Sequence, residues 1–297
     1  MRAVAELVAE AGPGGSLRLP VQRSQAPLVL RRTADAVYLV SGAAGPLGGD
    51  TLELRIEVRA GATLRLRTVA AAVALPGRYG EESRLTVTAT VGPGARLEYL
   101  PEPTVVADGA RHRTDVRVDL AEDAALILRD EVLLGRHGER GGACRTRLAV
   151  DRDSALGWRP LLRHELDISG TDPASLGPAV LAGHRAAGTL FTVDPGDAGV
   201  PAKVDGVTAL YEFDETAGTV GTVGAGGTGG GSGTAGTGVD GTGGGTGAEP
   251  WVAVMPLAGP ARLVTALAHD TRTLRRRLES GRAPRIPVLS GTGGGLA

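Results

Sequence analysis

The sequence predicts a mostly β fold of stacked, β-helix-like or layered strands, with one or two helices near the C-terminus. Three observations carry that expectation. Apolar and polar residues alternate through most of the first half, glycine turns separate the alternating runs, and the strand–turn–strand unit returns at near-constant spacing.

The first unit places Leu52, Leu54, Ile56 and Val58 on one face and Glu53, Arg55 and Glu57 on the other, then turns at Gly61-Ala62 into Leu64 and Leu66. Period two with one apolar face is the signature of a half-buried strand. The unit returns as Leu85–Val91, the turn Gly92-Pro93-Gly94-Ala95, then Leu97 and Tyr99. A third copy runs Val116–Leu120 into Ala124–Leu128, and a fainter fourth runs Leu148–Val150 into Ser154-Ala155-Leu156, followed by Leu161, Leu162, Leu166 and Ile168. Aligning the alanines at 62, 95, 125 and 155 gives steps of 33, 30 and 30 residues. Units repeating at that period bury their apolar faces on one another.

Helical spacing is confined to two places. Residues 174–187 predict a short helix before a strand at 188–193. Leu263, Leu267, Leu274 and Leu278 predict a helix over 261–279, with Arg275-Arg276-Arg277 complementing its C-terminal dipole and Gly281 and Pro284 ending it. Residues 217–248 are almost wholly Gly, Thr, Ala and Ser, too poor in apolar area to offset backbone entropy, and are expected to be a disordered insertion. The flanks, 208–213 and 251–257, read as two strands of a hairpin carrying it. Residues 1–216 and 249–297 then form a single β domain.

Composition excludes several functions. At 297 residues and 42% hydrophobic the chain can build a large core, but its 3% aromatic content leaves little for base or sugar stacking. A formal charge of -1 argues against nucleic acid or an anionic membrane as partner. Lys203 is the sole lysine and follows no glycine loop, so no P-loop exists, and the Gly224–Gly229 match to a dinucleotide fingerprint lacks a flanking strand and helix. Cys144 is alone, and the histidines at 112, 137, 164, 184 and 269 form no zinc-binding spacing. No catalytic motif is present, so the chain is not expected to be an enzyme. The N-terminus carries Glu6 and Glu10 where a signal peptide would be apolar, and a cytoplasmic location is expected.

The candidate functional groups are carboxylates at strand ends: Asp50, Glu98, Glu102, Glu131, Glu139 and Glu165. Leu100-Pro101-Glu102-Pro103 fixes two φ angles around one glutamate, and Gly48-Gly49-Asp50 sets a carboxylate after a glycine pair. These segments carry a family resemblance. Gly45-Pro46-Leu47-Gly48-Gly49-Asp50, the strand ending at Thr68, Gly94-to-Pro103 with Glu98, Pro101 and Pro103, Glu131, Leu134-Gly135-Arg136 with Glu139, and Ala283-Pro284-Arg285-Ile286 together resemble the urease accessory protein UreD (UreH) family.

The resemblance implies a non-enzymatic maturation factor that binds apo-urease and a UreF partner, with a UreG GTPase joined through UreF. It implies nickel in transit through an interior tunnel and no tightly bound cofactor. Asp50, Glu102, Glu131 and Glu139 would line that path, and Arg136 would position carboxylates. Scattered oxygens suit a conduit that must release its ion. Whether the complex holds a dimer of the chain is left open. The alternatives are a β-solenoid enzyme or carbohydrate-binding module, disfavoured by the scarcity of aromatics, and a self-assembling structural repeat.

Overall fold

The computed structural model describes residues 1–197, 211–214, 219–222, 251–257 and 259–282. Two sheets face each other across one core. The first contains, in chain order, β1 (Arg2–Ala11), β2 (Leu17–Arg23), β5 (Thr51–Val58), β8 (Glu82–Val91), β11 (Arg111–Leu120), β13 (Ala143–Arg152) and β14 (Arg159–Ser169), and its spatial order is β14-β13-β11-β8-β5-β1-β2. The second contains β3 (Leu28–Arg32), β4 (Val37–Ser41), β6 (Thr63–Thr68), β9 (Arg96–Leu100), β12 (Ala125–Leu134), β15 (Ala186–Val193), β18 (Val252–Pro256) and β19 (Ala261–Ala268), in the order β18-β19-β15-β12-β9-β6-β4-β3. Two short strands, β7 (Ala72–Ala74) and β10 (Thr104–Val106), extend it.

The predicted units are coils. Each climbs one strand of the first sheet, turns, and descends one of the second, so β1, β5, β8, β11 and β13 are parallel neighbours, as are β4, β6, β9 and β12. The inward positions are the apolar ones read from the alternation: Leu54, Leu64, Leu66, Leu97, Leu120, Leu126, Leu128 and Leu148 are fully buried in one cluster with Leu7 and Phe191. Each contributes roughly 2 kcal/mol by leaving water. Ala62 and Ala95 sit at equivalent turns, but the third equivalent is Ala124 and not Ala125, because Arg96 pairs with Ala125. The fourth copy is not a coil. β14 returns antiparallel beside β13 in the same sheet, and Ser154-Ala155-Leu156 lies in their turn.

Two further expectations change. Residues 261–268 are a strand, with Ala261, Leu263, Ala266 and Ala268 buried against β15, and the helix starts later as α2 (Thr271–Ser280) after α1 (Pro173–Leu176). Asp270 accepts from the Thr273 amide at 2.8 Å and sets that start. The helix expected over 174–187 shrinks to α1. The strand at Val252–Pro256 pairs with β19, while β16 (Tyr211–Asp214) pairs with β17 (Thr219–Thr222), so the two flanks of the Gly/Thr tract do not form a hairpin together. The rest of 217–248 lies outside the described residues, as do Lys203, Arg285 and the tail.

The outer face of the first sheet is paired charge. Arg55–Glu53, Arg59–Glu57 and Arg113–Asp115 meet two residues apart in sequence, along β5, at its end and along β11, at 2.8, 2.9 and 2.7 Å. Among the described residues no helix is long and apolar enough to cross a membrane.

Candidate functional site

The second sheet breaks where its coils should be most regular. Thr104 of β10 pairs with Val132 and Tyr99 of β9 with Leu128, so residues 100–103 face only 129–131 and the extra residue bulges out. The prolines explain the position. Pro101 and Pro103 have no N–H to give a ladder, and their carbonyls instead accept from Arg129 Nη2 at 2.9 Å and the Ala72 amide at 3.1 Å. The one donor between them, the Glu102 amide, goes to Thr68 Oγ1 at 2.7 Å.

Beneath the break lies a cavity of about 390 Å³ between the sheets. Gly45, Pro46, Thr68, Pro101, Glu102 and Glu131 all line it, so six residues singled out from sequence meet around one space. His112, Thr114, Tyr99, Arg129 and Asp130 complete its polar wall. His112 is hydrogen-bonded through both ring nitrogens, to Ser83 Oγ at 2.9 Å and Thr114 Oγ1 at 3.1 Å, and burial pushes its pKa down to about 4, keeping it neutral. Asp130 is pushed up to about 6 by burial, with the Thr146 hydroxyl pulling the other way and Glu131 adding to the rise. The Tyr99 phenol is raised by burial and by Asp130.

On the helix side of the break four charges converge. Arg275 of α2 donates to Glu102 from Nη1 (3.1 Å) and Nη2 (3.0 Å), and to Glu131 from Nε (3.3 Å) and Nη2 (2.7 Å). Arg129, 7% exposed, stands 3.4 Å from Glu131 through Nε, which has no hydrogen-bond partner, and 3.8 Å from Glu102 through Nη2. Burial lowers the Arg129 pKa and neighbouring Glu131 restores part of it, whereas hydrogen bonding to Glu131 raises that of Arg275. α2 is seated by Leu274 and Leu278, whose methyls would crowd a Cβ on Gly188 at 3.0 and 3.1 Å.

The other sequence candidates lie elsewhere. Asp50 is buried and accepts from the Met1 ammonium and the Leu47 amide, tying the Gly45–Asp50 turn to β1. Gly49 takes φ +90°, but the close approach is at Gly48, where a Cβ would fall 2.3 Å from the Gly77 amide. Glu139 accepts from the Arg136 amide and guanidinium and the Asp108 amide, and the Arg136 bonds draw its pKa down to about 2. Arg185 holds the Gly135 turn through the carbonyls of residues 134 to 136. Glu98 faces Arg96 at 3.0 Å and Arg65 at 3.4 Å, away from the cavity. Glu165 pairs with Arg147 at 2.6 Å.

Sequence reasoning missed Arg129, Asp130 and the clamp by Arg275. A signal existed. Arg129-Asp130-Glu131 interrupts an otherwise apolar strand, and charges in such a place must be paired. Among the described residues no three His, Cys, Asp or Glu side chains converge as a metal cage.

A coiled two-sheet body with a largely apolar cavity edged by a few polar side chains, whose ionisable groups are bonded to structure, defines a scaffold more than a catalyst. The comparisons with known proteins name the kind. The family model described as UreD urease accessory protein matches residues 1–289. A urease accessory protein UreD of Frankia alni is 42% identical, covering 94% of this chain and 91% of its own length, and one from Parafrankia sp. is 40% identical over 94% and 87%. UreD 3 of Streptomyces griseus is 40% identical over 97% and 98%. The chain belongs to the UreD family, and so to urease maturation as an accessory protein.

Proposed function

We propose that this chain is the scaffold on which urease receives its nickel: it binds apo-urease and a UreF–UreG complex in the cytoplasm, and nickel crosses it through the cavity under the sheet break. The observation that carries this reading is the convergence of Glu102, Glu131, Thr68 and the Gly45–Pro46 turn on one internal space. The polar groups along that space are the Glu102, Glu131 and Asp130 carboxylates and the Thr68 and Thr114 hydroxyls, set among apolar side chains, and among the described residues they form no closed cage. Such donors bind a borderline cation briefly and release it, as transfer demands. Asp50 and Glu139, engaged in turns, act on this reading by holding the coil ends in shape.

The test has two arms. Tagged chain should co-purify UreF, UreG through UreF, and apo-urease from a strain expressing all of them. Deleting the chain should leave urease synthesised but nickel-poor by elemental analysis. Fully nickel-loaded urease in the deletion strain would overturn the proposal.

A further inference from the structure

Glu98 is the carboxylate of the Leu97-to-Pro103 segment that the cavity does not use, and it stands on the outer face of the second sheet. Alternation puts it there with Arg65, Arg67 and Arg96, while Leu64, Leu66, Leu97 and Tyr99 turn into the core. α2 covers this face over β12, β15 and β19. Over β3, β4 and β6 the face stays open, with Arg31 exposed and Arg65 keeping 49% of its side-chain surface. Three guanidiniums share the one glutamate. Arg96 Nε donates to Glu98 Oε1 at 3.0 Å, and Arg65 Nε and Arg67 Nη2 stand 3.4 and 3.9 Å from Oε2. Glu98 is 7% exposed, so it holds the arginines and offers little of itself to solvent. Among the described residues Arg65 and Arg67 donate no hydrogen bond, and their forks remain free.

We propose that this open face of β3, β4, β6 and β9 is the docking surface for an acidic segment of a protein partner, whose carboxylates take the free forks of Arg65 and Arg67 while Glu98 holds those arginines in place. Charge complementarity carries the choice of occupant. Arg31, Arg65, Arg67 and Arg96 against Glu98 and the nearby Asp35 leave two positive charges on this face, in a chain whose formal charge is -1. A planar guanidinium fork matches the two oxygens of a carboxylate. Nucleic acid fits less well, since neutralising roughly 6–10 phosphates is the usual measure of its grip and this face is too small for that. The composition of the face also suits a protein. Arg31, Tyr38 and Arg67 are successive cross-strand neighbours on β3, β4 and β6, so a tyrosine lies between two arginines, and these are the residue types that most often anchor protein interfaces. The opposite sheet offers no such forks at Arg55 and Arg59, which spend theirs on Glu53 and Glu57.

The inference takes from the proposed function only that the chain has protein partners, and its first test needs none of them. Purified full-length chain, R65Q/R67Q and the control R55Q/R59Q, each checked for folding by circular dichroism, are titrated at pH 7.5 and 50 mM NaCl with a fluorescein-labelled glutamate–serine peptide and with its glutamine–serine counterpart. By anisotropy the parent should prefer the glutamate peptide, R65Q/R67Q should bind it at least about fivefold more weakly, and R55Q/R59Q should stay within about twofold of the parent. A parent with no such preference, equal weakening in both variants, or tighter binding of an oligothymidine or of anionic vesicles overturns the proposal. If R65Q/R67Q does not fold, R31E, which pairs with no carboxylate among the described residues, must weaken binding at least about threefold, and no weakening overturns it. In the strain expressing UreF, UreG and urease, R65Q/R67Q should lose a partner that the parent and R55Q/R59Q retain, and retention of every partner overturns the proposal. If the parent captures none, the proposed function falls and the peptide titration alone decides. Failure of the peptide titration leaves the nickel route standing.

Discussion

Glu131→Gln is the substitution that most directly probes the charge cluster. Glu131 is 3% exposed and, among the described residues, is the only carboxylate within 3.4 Å of Arg129, while Arg275 spans it and Glu102. The amide keeps the shape and removes the charge, leaving two guanidiniums against one carboxylate. Removing one partner of a buried pair costs about 3–5 kcal/mol. Arg275 and Glu102 keep 29% and 33% of their side-chain surface, so solvent screens part of the imbalance and the expected cost is about 3 kcal/mol. For a chain with a urea slope of about 3 kcal/mol/M, that is a fall in midpoint of about 1 M. Far-UV circular dichroism is the assay of choice because it reports on the strands of both sheets together. Adding Arg129→Met removes the stranded charge, and the double variant should recover at least about 1.5 kcal/mol relative to additivity. A midpoint for Glu131→Gln within about 0.2 M of the parent, or strict additivity in the cycle, would refute the reading of these four groups as one unit.

Three further outcomes are expected. Gly142→Ala puts a Cβ 2.1 Å from the Ala110 carbonyl oxygen, so the stacked turns must separate, at a cost of about 3 kcal/mol in urea titration. His112, with a folded pKa near 4 against an ordinary 6.5, contributes stability that is complete above pH 6.5 and is lost as pH falls towards 4, about 3 kcal/mol in all; His112→Gln should flatten that slope in unfolding curves taken every half pH unit. Asp130 acts in the opposite sense: its contribution is complete below pH 3.8 and is lost as pH rises through about 6, so Asp130→Asn should stabilise at pH 7 by about 3 kcal/mol, with the gain vanishing near pH 4.

The coils were legible because their signal is local. Leu52 to Val58 and Val116 to Leu120 declare a buried face residue by residue, and the turns between them carry Gly-Ala or Gly-Pro-Gly. Direction was not legible: period two is the same in a strand that climbs a coil and in one that folds back, which is why β14 read as a fourth copy. Residues 261–268 misled for a related reason, since a short apolar run suits strand and helix alike until Asp270 caps the true helix. The cavity was half visible. Leu-Pro-Glu-Pro announces a break in a strand, but the clamp across it joins Glu131 to Arg275 over 144 residues of chain, and no local pattern encodes that meeting.

The paired face of the first sheet has a consequence for how this protein is approached. Arginine and a carboxylate set two residues apart cancel each other over about 7 Å, less than the Debye length of about 8 Å at physiological ionic strength. From a few ångströms off, those three pairs contribute little net field. A molecule approaching them is steered by the charges that lack such a near neighbour, and not by these pairs.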